Sequence, residues 1–520
     1  PLWDDATRAP LLAAMSEVLD TPASAAPIVA GQEIDTADGM QIVSPHDHRV
    51  LVGTCALADD KSVDAALDAA KGAASEWDAR GGAARASILE RAADLFEAAR
   101  PRLMALLVRE AGKTLGNAQS DLREAVDFLR YYAAEARANF ETPVTLKGPT
   151  GESNEMSRHG RGVFAAISPW NFPLAIFTGQ VAGALAAGNA VVAKPAEQTP
   201  LIAAAATRLL HEAGVPADVL HLLPGSGETI GAALVADGRV DGVVFTGGTD
   251  TGKAIAKALA ARPGPIPKLI AETGGLNAMI VDSSALPEQV VDDVLRSAFD
   301  SAGQRCSALR VLFLQSDIAD PVTEMIVGAA EELTLGDPLD YATDIGPVID
   351  ADARAVLEAH KEKMRAEARV LFDPQADQAL THGTFVAPAI FEIPEIGVLQ
   401  REVFGPILHV VRFDGNRLAE VCEAINATGY GLTLGLHSRI KATADFVAAK
   451  ARVGNFYVNR NQIGAVVGVQ PFGGEGLSGT GPKAGGPLYL EAFAVERVRT
   501  TNLTAAGGNA SLLAAGGDDS

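Results

Sequence analysis

The sequence VFAAI at residues 163–167 begins the pattern that decides the fold, in which a short apolar run precedes a helical repeat. The pattern occurs five times in succession. Its apolar runs are Val163–Ile167, Ala190–Ala193, Val219–Leu223, Gly242–Phe245 and Lys268–Ala271. Strands that alternate with helices of this length are typical of an α/β fold with a doubly wound parallel sheet. We therefore predict such a sheet in this part of the chain.

Polar and glycine residues follow each predicted strand at the point where it ends. They are Asn171, the pair Lys194 and Glu197, Gly225 to Gly227, Gly247 to Thr249, and Glu272. In open α/β sheets the ligand crevice lies at the carboxyl ends of the strands. We expect these residues to line a nucleotide site.

The bulk properties bound the class of protein. A length of 520 residues is too long for one hydrophobic core and predicts two or three domains. A hydrophobic fraction of 48% supplies a large core. The formal charge of −22 disfavours nucleic acid as a partner, because basic patches supply affinity for phosphate backbones.

The cysteines and the N-terminus bear on metal, membrane and compartment. Cys55, Cys306 and Cys422 are far apart without a C-x-x-C, so we expect no disulfide framework and no metal site. The acidic N-terminus is unlike a signal peptide, and polar and glycine residues interrupt the most apolar stretch, Val163 to Val192. We therefore expect a cytoplasmic protein without a membrane span.

Two glycine motifs favour a bound dinucleotide without proving it. Gly225–Gly231 reads G-x-G-x-x-x-G, which fits either a dinucleotide or a tight strand-to-helix turn. Gly247–Ala254 resembles a P-loop, but Ala254 replaces the hydroxyl residue that would ligate Mg²⁺, so we reject an ATPase. A helix start that carries glycines can still offer N–H groups to a pyrophosphate.

Lys194 and Glu197 follow the second strand, where dinucleotide folds place an acidic residue against the adenosine ribose. Glu197 would accept bonds from the ribose hydroxyls and repel a 2′-phosphate. The alternative is a surface ion pair worth little. The position favours NAD over NADP.

Three residues are candidates for the chemistry. Glu272 ends an apolar strand, where burial would raise its pKa toward that of a general base, and a capping or ion-paired glutamate is the alternative. Asn171 begins a predicted helix between two prolines, either as its N-cap or as an amide donor to an oxyanion. Cys306, in SAGQRCSALR at residues 301–310, is either a small buried hydrophobe or a nucleophile.

Together these groups match the oxidation of an aldehyde to an acid. A thiolate adds to the carbonyl, amide donors stabilise the oxyanion, and the adduct loses hydride to nicotinamide to become a thioester. A carboxylate then activates the water that releases the acid.

The regions outside the first sheet are less informative. A helix near Asn117 to Ala138 has Glu124 beside its apolar face, where a solvated charge is the usual interpretation. Strand and helix patterns alternate again from about Cys306 to Pro482 and predict a second α/β domain. The polar segments near Thr142–Gly160 and Glu496–Thr501 are candidate edge strands of a subunit contact.

Six segments, in this order and combination, resemble the aldehyde dehydrogenase superfamily across nearly the whole chain. They are residues 169–173 (PWNFP), 194–197 (KPAE), 245–247 (FTG), 272–275 (ETGG), 303–306 (GQRC) and 402–406 (EVFGP). The resemblance implies the aldehyde dehydrogenase fold, with Cys306 as nucleophile, Glu272 as base and Asn171 in the oxyanion hole. One departure is Gly248, where many members carry serine.

The same resemblance implies an NAD site. Lys194 and Glu197 would lie at the adenosine ribose, and Glu402 at the nicotinamide ribose with Phe404 nearby. The full set of implied cofactor contacts is Ile167, Ser168, Pro169, Trp170, Lys194, Glu197, Gly227, Gly231, Phe245, Thr246, Gly247, Gly248, Thr251, Glu402 and Phe404.

A narrower resemblance rests on residues 459–474 (NRNQIGAVVGVQPFGG) and their sequel. They look like the L-glutamate γ-semialdehyde dehydrogenase branch, and most like the dehydrogenase half of bifunctional proline utilization A proteins. This likeness implies that Gly464 and Ala465 anchor the amino-acid end of the substrate, and that Ser307 bonds its carboxylate. The remaining implied substrate contacts are Arg305 for positive charge, Phe172 and Phe472 along the aliphatic chain, and Glu124.

The resemblance also implies a division of the chain. Residues 1–143 and 164–271 would form the NAD-binding domain, with an N-terminal helical segment, and residues 272–482 the catalytic domain. Residues 144–163 and 483–505 would form a small β oligomerisation element, followed by a tail over 506–520. We expect a homodimer or higher homo-oligomer.

The chain starts at Pro1 and contains no proline dehydrogenase domain, so we expect a C-terminal portion of a longer protein. The predicted reaction is NAD-dependent oxidation of L-glutamate γ-semialdehyde, which equilibrates with 1-pyrroline-5-carboxylate, to L-glutamate. The alternatives are a dehydrogenase of another short polar aldehyde and a non-catalytic nucleotide-binding scaffold.

Overall fold

The computed structural model describes residues 2–506. Its α-helices are α1 (Asp5–Leu19), α2 (Asp60–Ala79), α3 (Gly82–Ala98), α4 (Arg100–Glu110), α5 (Leu115–Asn139), α6 (Ala175–Ala186), α7 (Pro200–Glu212), α8 (Ala232–Ala236), α9 (Thr249–Ala261), α10 (Pro287–Phe299), α11 (Ser316–Glu331), α12 (Ala351–Glu367), α13 (Leu418–Ala427), α14 (Lys441–Lys450) and α15 (Tyr489–Ala492).

The strands of the first half of the chain are β1 (Ala23–Ala25), β2 (Ile28–Val29), β3 (Gln32–Glu33), β4 (Gly39–Ser44), β5 (Asp47–Ala56), β6 (Val144–Leu146), β7 (Glu152–Gly160), β8 (Val163–Ile167), β9 (Ala190–Lys194), β10 (Leu220–Leu222) and β11 (Gly242–Gly247). The others are β12 (Lys268–Thr273), β13 (Ala278–Val281), β14 (Val311–Gln315), β15 (Arg369–Phe372), β16 (Ala389–Glu392), β17 (Ile407–Phe413), β18 (Tyr430–Gly431), β19 (Thr433–His437), β20 (Asn455–Val458), β21 (Glu475–Gly476) and β22 (Ala494–Asn502).

The first sheet contains the five predicted strands in the order β12-β11-β8-β9-β10, all parallel. Strands β8 and β9 are buried along their whole length, which explains why their sequences are continuously apolar. Chain order runs from β8 outward to β9 and β10 and then returns to β11 on the other side of β8. This reversal opens a crevice at the carboxyl ends of β8 and β11.

Two short strands extend the first sheet beyond the pattern that the sequence predicts. Strands β2 and β3 pair antiparallel at its edge, beside β10. Residues near the other end of the chain also pack into its core, among them Tyr489 and Phe493.

The second sheet has the order β15-β16-β17-β14-β13-β19-β20 and is parallel except at β15. It has a separate hydrophobic core. A doubly wound parallel sheet and a second α/β region were both expected, and the architecture confirms them.

A three-stranded antiparallel sheet joins the two polar segments of the sequence. Strand β22 pairs with β7 along its nine residues, and β6 lines the other edge of β7. The boundary predicted at residue 163 falls inside β8, so Val163 lies with the first sheet. Of the predicted tail, residues 507–520 lie outside the described residues.

Candidate active site

Cys306 lies on a loop that reaches the second sheet from its amino end. Helix α10 ends at Phe299, a single 3-10 turn follows, and β14 begins at Val311. Ser301, Ala302 and Gly303 have φ values of 58°, 52° and 65°, which is the left-handed region. A Cβ on Gly303 would lie 2.2 Å from the carbonyl oxygen of Gly405. The loop therefore needs glycine at position 303.

An asparagine fixes the backbone on the other side of the thiol. Asn277 Nδ2 donates to the carbonyl oxygens of Cys306, at 2.7 Å, and Ala308, at 2.9 Å. Asn277 Oδ1 accepts the Thr433 N–H at 3.1 Å. The loop is thus tied to two strands of the second sheet, which limits the positions that the thiol can take.

Cys306 opens into a cavity of about 830 Å³ between the two sheets. Most of the predicted site residues line it together: Glu124, Pro169, Trp170, Asn171, Phe172, Thr246, Gly247, Gly248, Thr251, Glu272, Arg305, Cys306, Ser307, Glu402, Phe404, Gly464, Ala465 and Phe472. The other predicted residues are not in its lining: Ile167, Ser168, Lys194, Glu197, Gly227, Gly231 and Phe245. All of these belong to the predicted cofactor set.

Its surroundings raise the pKa of the Cys306 thiol. Burial is the main cause that raises its pKa, to about 12, and the negative charges of Glu402, Glu272 and Glu124 add to the effect. A thiol with this pKa is a weak nucleophile until a base removes its proton.

Glu272 is the carboxylate suited to that task. Its Oε2 accepts the Gly474 N–H at 3.2 Å, while its Oε1 has no hydrogen-bond partner among residues 2–506. Burial raises its pKa to about 8, against the lowering effects of the Gly474 N–H and of Lys483. A Cβ on Gly473 or Gly479 would lie within 3 Å of this carboxylate, so the glycine-rich loop makes room for it. A pKa near 8 suits a general base at neutral pH.

Asn171 is held by a backbone group of the loop that carries Cys306, residues 300–310, which we call the nucleophile loop. Its Nδ2 donates to the Gln304 carbonyl oxygen at 3.2 Å. The prediction that Asn171 begins a helix is wrong, because α6 starts at Ala175, whose N–H is accepted by Asp121 Oδ1 at 2.7 Å. The amide has a second N–H for an oxyanion in the cavity that Asn171 lines.

The seven predicted cofactor residues that do not line the cavity lie along the first sheet. Lys194 Nζ is 3.0 Å from Glu197 Oε1, which also accepts the Gly227 N–H. Gly231 faces the Lys194 stem, with its Cβ position 3.7 Å from Lys194 Cδ. Ser168 N–H donates to the Lys194 carbonyl oxygen at 3.2 Å. The strand ends thus form one continuous edge.

Gln180 is a cavity residue that the sequence did not single out. Its Nε2 donates to the Ile167 carbonyl oxygen at 3.3 Å and to Thr246 Oγ1 at 3.0 Å. It therefore links the ends of β8 and β11. The rings of Trp170 and Phe404, which line the same cavity, meet edge to face at 5.6 Å. A lone glutamine inside an apolar helical run, α6, was the available signal.

The predicted substrate end of the cavity contains a buried charge cluster. Two cations lie over the Phe172 ring, Lys113 Nζ at 4.1 Å from its centroid and the Arg305 guanidinium at 5.1 Å. Arg305 is paired with Asp300 at 2.8 Å, and Lys113 Nζ is 3.3 Å from Asp121 Oδ2. The positive charge predicted for Arg305 is therefore already balanced within the protein.

Two further features of this end differ from the sequence-based picture. Glu124 is not a solvated charge, because it lines the cavity and burial, followed by repulsion from Asp121, raises its pKa to about 8. The pair Lys113 and Asp121 was missed, although both side chains are nearly inaccessible, at 3% and 0% exposure. Lys113 packs over the ring of Phe172 and Asp121 accepts the Ala175 N–H, and both of these partners are distant in sequence.

The chain belongs to the aldehyde dehydrogenase family, whose model matches residues 32–498. Within it, the chain is 36% identical over 492 residues to a 1-pyrroline-5-carboxylate dehydrogenase of Geobacillus thermodenitrificans, covering 94% of this chain and 95% of that one. It is 55% identical over 467 residues to the bifunctional protein PutA of Klebsiella aerogenes, covering 88% of this chain and 35% of PutA.

A solved structure agrees. The 1-pyrroline-5-carboxylate dehydrogenase from Thermus with bound NAD superimposes with a TM-score of 0.91 at 35% identity, covering 96% of this chain and 97% of that one. The chain spans about a third of the length of the PutA relatives it matches. Among residues 2–506, no helix is both long and apolar enough to cross a bilayer.

Proposed function

We propose that the chain catalyses the NAD-dependent oxidation of L-glutamate γ-semialdehyde, in equilibrium with 1-pyrroline-5-carboxylate, to L-glutamate. The observation that carries the proposal is that Cys306, Glu272 and Asn171 line one cavity. The match to the Geobacillus enzyme over nearly its full length supports the choice of substrate.

The residues at the strand ends fit NAD. Lys194 and Glu197 offer a donor and an acceptor to one ribose, and Glu402 offers an acceptor to the other. Helix α9 has Gly248 at its N-cap with no side-chain cap, so its first N–H groups remain for a pyrophosphate. Bound NAD would accept the hydride that converts the Cys306 adduct to a thioester.

The acylation half of the reaction begins at the thiol. Glu272 takes the proton of Cys306, and Sγ forms a bond to the aldehyde carbon to give a thiohemiacetal. Asn171 Nδ2 and the Cys306 N–H donate to the oxygen that becomes negative. Because Asn171 is bonded to Gln304, the donor is already in place before the aldehyde arrives.

The deacylation half uses the same carboxylate a second time. Glu272 first releases to solvent the proton it took from the thiol, and it then removes a proton from water. The water oxygen bonds to the thioester carbon, and the C–S bond breaks to release the acid and the thiolate. A carboxylate with a pKa of about 8 can both take and return a proton in this pH range.

The substrate's amino-acid end would lie near Ser307, Gly464 and Ala465, which line the same cavity. Gly464 has φ +71° and nothing within 4 Å of its Cβ position, so its backbone faces open space. Phe172 and Phe472 would flank the aliphatic chain. Glu124 lines the same cavity, and its carboxylate, once ionised, would pair with the ammonium group of the substrate.

An assay of NADH formation tests this function. The wild-type chain should turn over the semialdehyde with a kcat/KM well above the values for succinate semialdehyde and acetaldehyde. A preference for another aldehyde would assign a different substrate. NAD binding without turnover of any aldehyde would instead favour a nucleotide-binding scaffold.

We also propose the wider arrangement of the protein. Residues 1–143 and 163–271 form the NAD-binding domain, with Val163 now assigned to its sheet, and residues 272–482 form the catalytic domain, while the sheet β22-β7-β6 mediates a homo-oligomer. Light scattering would test the oligomer, since substitutions of Val498, which is 61% exposed on this sheet, should lower the mass. A proline dehydrogenase domain in the same polypeptide is proposed from the PutA relatives, and the intact mass of the native protein would test it.

A further inference from the structure

Arg310 is a buried guanidinium that the proposed reaction does not use. It lies four residues after Cys306, immediately before β14, and is 1% exposed. A buried arginine is costly unless its donors are bonded. Its partners therefore show what the residue is for.

One set of partners belongs to the nucleophile loop. Arg310 Nη1 donates to the Gly303 carbonyl oxygen at 2.7 Å, and Nη2 donates to the Arg305 carbonyl oxygen at 3.1 Å. These carbonyls belong to the residue that ends the left-handed segment and to the residue that precedes Cys306. The guanidinium thus sets the direction in which the backbone enters Cys306.

The other set belongs to the loop expected at the nicotinamide ribose. Arg310 Nη2 donates to Glu402 Oε1 at 3.0 Å, and Nη1 donates to the Gly405 carbonyl oxygen at 3.1 Å. The guanidinium also lies 5.2 Å from the centroid of the Phe404 ring. Because the guanidinium is rigid and planar, a displacement on one side moves its donors on the other.

The Glu402 carboxylate has capacity to accept further hydrogen bonds from a ribose. Its Oε2 accepts the Gly275 N–H at 3.2 Å, and its carboxylate lies where a Cβ on Gly274 would be. A carboxylate accepts about four hydrogen bonds. Ribose hydroxyls that bond to Glu402 would therefore share its oxygens with Arg310.

We propose that Arg310 is a positioning residue that couples occupation of the nicotinamide-ribose site at Glu402 to the reactivity of Cys306. The inference rests on the proposed NAD-dependent function. When ribose hydroxyls share the Glu402 oxygens, the hydrogen bond from Arg310 to Glu402 weakens, the guanidinium changes its hold on Gly303 and Arg305, and the thiol changes its exposure to electrophiles.

The test measures alkylation of Cys306 by iodoacetamide, with the modified residue identified by peptide mass spectrometry. ADP-ribose serves as the ligand, because it carries the ribose that would meet Glu402 but no nicotinamide to cover the thiol. AMP is the control ligand, because it lacks that ribose. In the wild-type chain, saturating ADP-ribose should change the alkylation rate on the order of fivefold, and AMP should not.

Arg310→Lys should remove the response to ADP-ribose, because an ammonium cannot bridge both loops. Arg85→Lys is the matched control. Arg85 is also 1% exposed and donates to the carbonyl oxygens of Ala186 and Asp78, and it does not line the cavity. Its replacement should lower Tm and leave the response intact, which separates coupling from loss of stability.

Glu402→Gln supplies a second variant that keeps the buried arginine, and it decides the question if Arg310→Lys does not fold. It too should lose the response. A wild-type response that persists in either variant, or an equal response to AMP, would overturn the coupling.

Calorimetry of ADP-ribose binding to the wild-type chain distinguishes the two proposals. Binding without an alkylation response overturns the coupling alone. Absence of binding overturns the NAD assignment and the coupling with it. No aldehyde is used, so an error in the substrate assignment leaves this test unaffected.

Discussion

Functional side chains are placed in different ways in two regions of the molecule. One region is the edge of the first sheet formed by its carboxyl strand ends, which we call the cofactor edge, and the other is the nucleophile loop before β14 of the second sheet. Glu197 and Thr246 lie at the carboxyl ends of parallel strands or just after them, where the fold places ligands. Cys306 lies before the amino end of β14, on a loop with two non-glycine residues in the left-handed region. The first arrangement follows from strand order, and the second has to be held by specific contacts.

Because of this difference, we expect substitutions in the two regions to have different effects. Strand ends are kept in place by a ladder of many hydrogen bonds, so the replacement of a single side chain there should alter only the affinity for the cofactor. The nucleophile loop depends on few groups, among them Asn277 and Arg310, so a single change can displace the reacting atom. A small displacement of a reacting atom has large effects on rate.

The largest expected effect comes from the nucleophile itself. Cys306→Ala should lower aldehyde oxidation by about 10⁴-fold or more, because no thiohemiacetal can form. NAD affinity, measured by calorimetry, should stay unchanged, since the cofactor edge belongs to the other sheet. Cys422→Ala, at a buried cysteine of α13, is the control and should retain activity. Oxidation by the Cys306 variant at the wild-type rate would refute the mechanism.

Glu272→Gln should lower steady-state turnover by about 10²- to 10⁴-fold. If another group can deprotonate the thiol in the first turnover, rapid mixing should show a burst of NADH followed by a stalled thioester. The wild-type rate should rise with pH through about 8, because the raised pKa of Glu272 means that its base form appears only there. The variant should lack this limb of the pH profile. An unaltered limb would assign the base to another group.

Gly303→Ala tests whether the loop conformation is required. The new Cβ would lie 2.2 Å from the Gly405 carbonyl oxygen, and it would be attached to a residue whose backbone is in the left-handed region. We therefore expect a loss of about 3 kcal/mol in unfolding free energy. Gly264→Ala is the control, since Gly264 has φ +96° with nothing near its Cβ position and should lose about 1 kcal/mol. Urea unfolding measures both, and equal losses would mean that the contact with Gly405 is unimportant.

The smallest effect is expected at the cofactor edge. Glu197→Gln should narrow the preference for NAD over NADP by about tenfold, because a negative charge would no longer oppose the 2′-phosphate. The ratio of kcat/KM for the two cofactors measures it. Glu332→Gln, at the end of α11, should leave the ratio unchanged. A wild-type preference for NADP would contradict the role of Glu197.

The sequence predicted the parallel strands of the first sheet well, because buried strands such as β8 and β9 are continuously apolar and end at recognisable turns. It did not predict β2 and β3 at the sheet edge, since strands of two residues leave no periodic signal. The helix start at Asn171 was misplaced because Asp121, fifty residues earlier in the chain, caps α6 at Ala175.

At the candidate site, local sequence favoured Cys306, Glu272 and Asn171 as chemical groups. For each of them it also left open a purely structural role, such as a buried thiol, an ion pair or a helix cap. Likewise, Arg305 was expected to offer a free charge, whereas Asp300 and Asn117 bind it. A residue's partners depend on which segments meet, and periodicity says nothing about that.

The sequence alone determined the fold class and the family, because strand and helix periods and the ordered motifs are local properties of the chain. Only the tertiary structure decided the electrostatic state of the cavity. Burial between two sheets raises the pKa of Cys306 to about 12 and those of Glu272 and Glu124 to about 8. Such shifts arise from the loss of water around groups that lie far apart in sequence, and that loss exists only once the two sheets enclose the cavity.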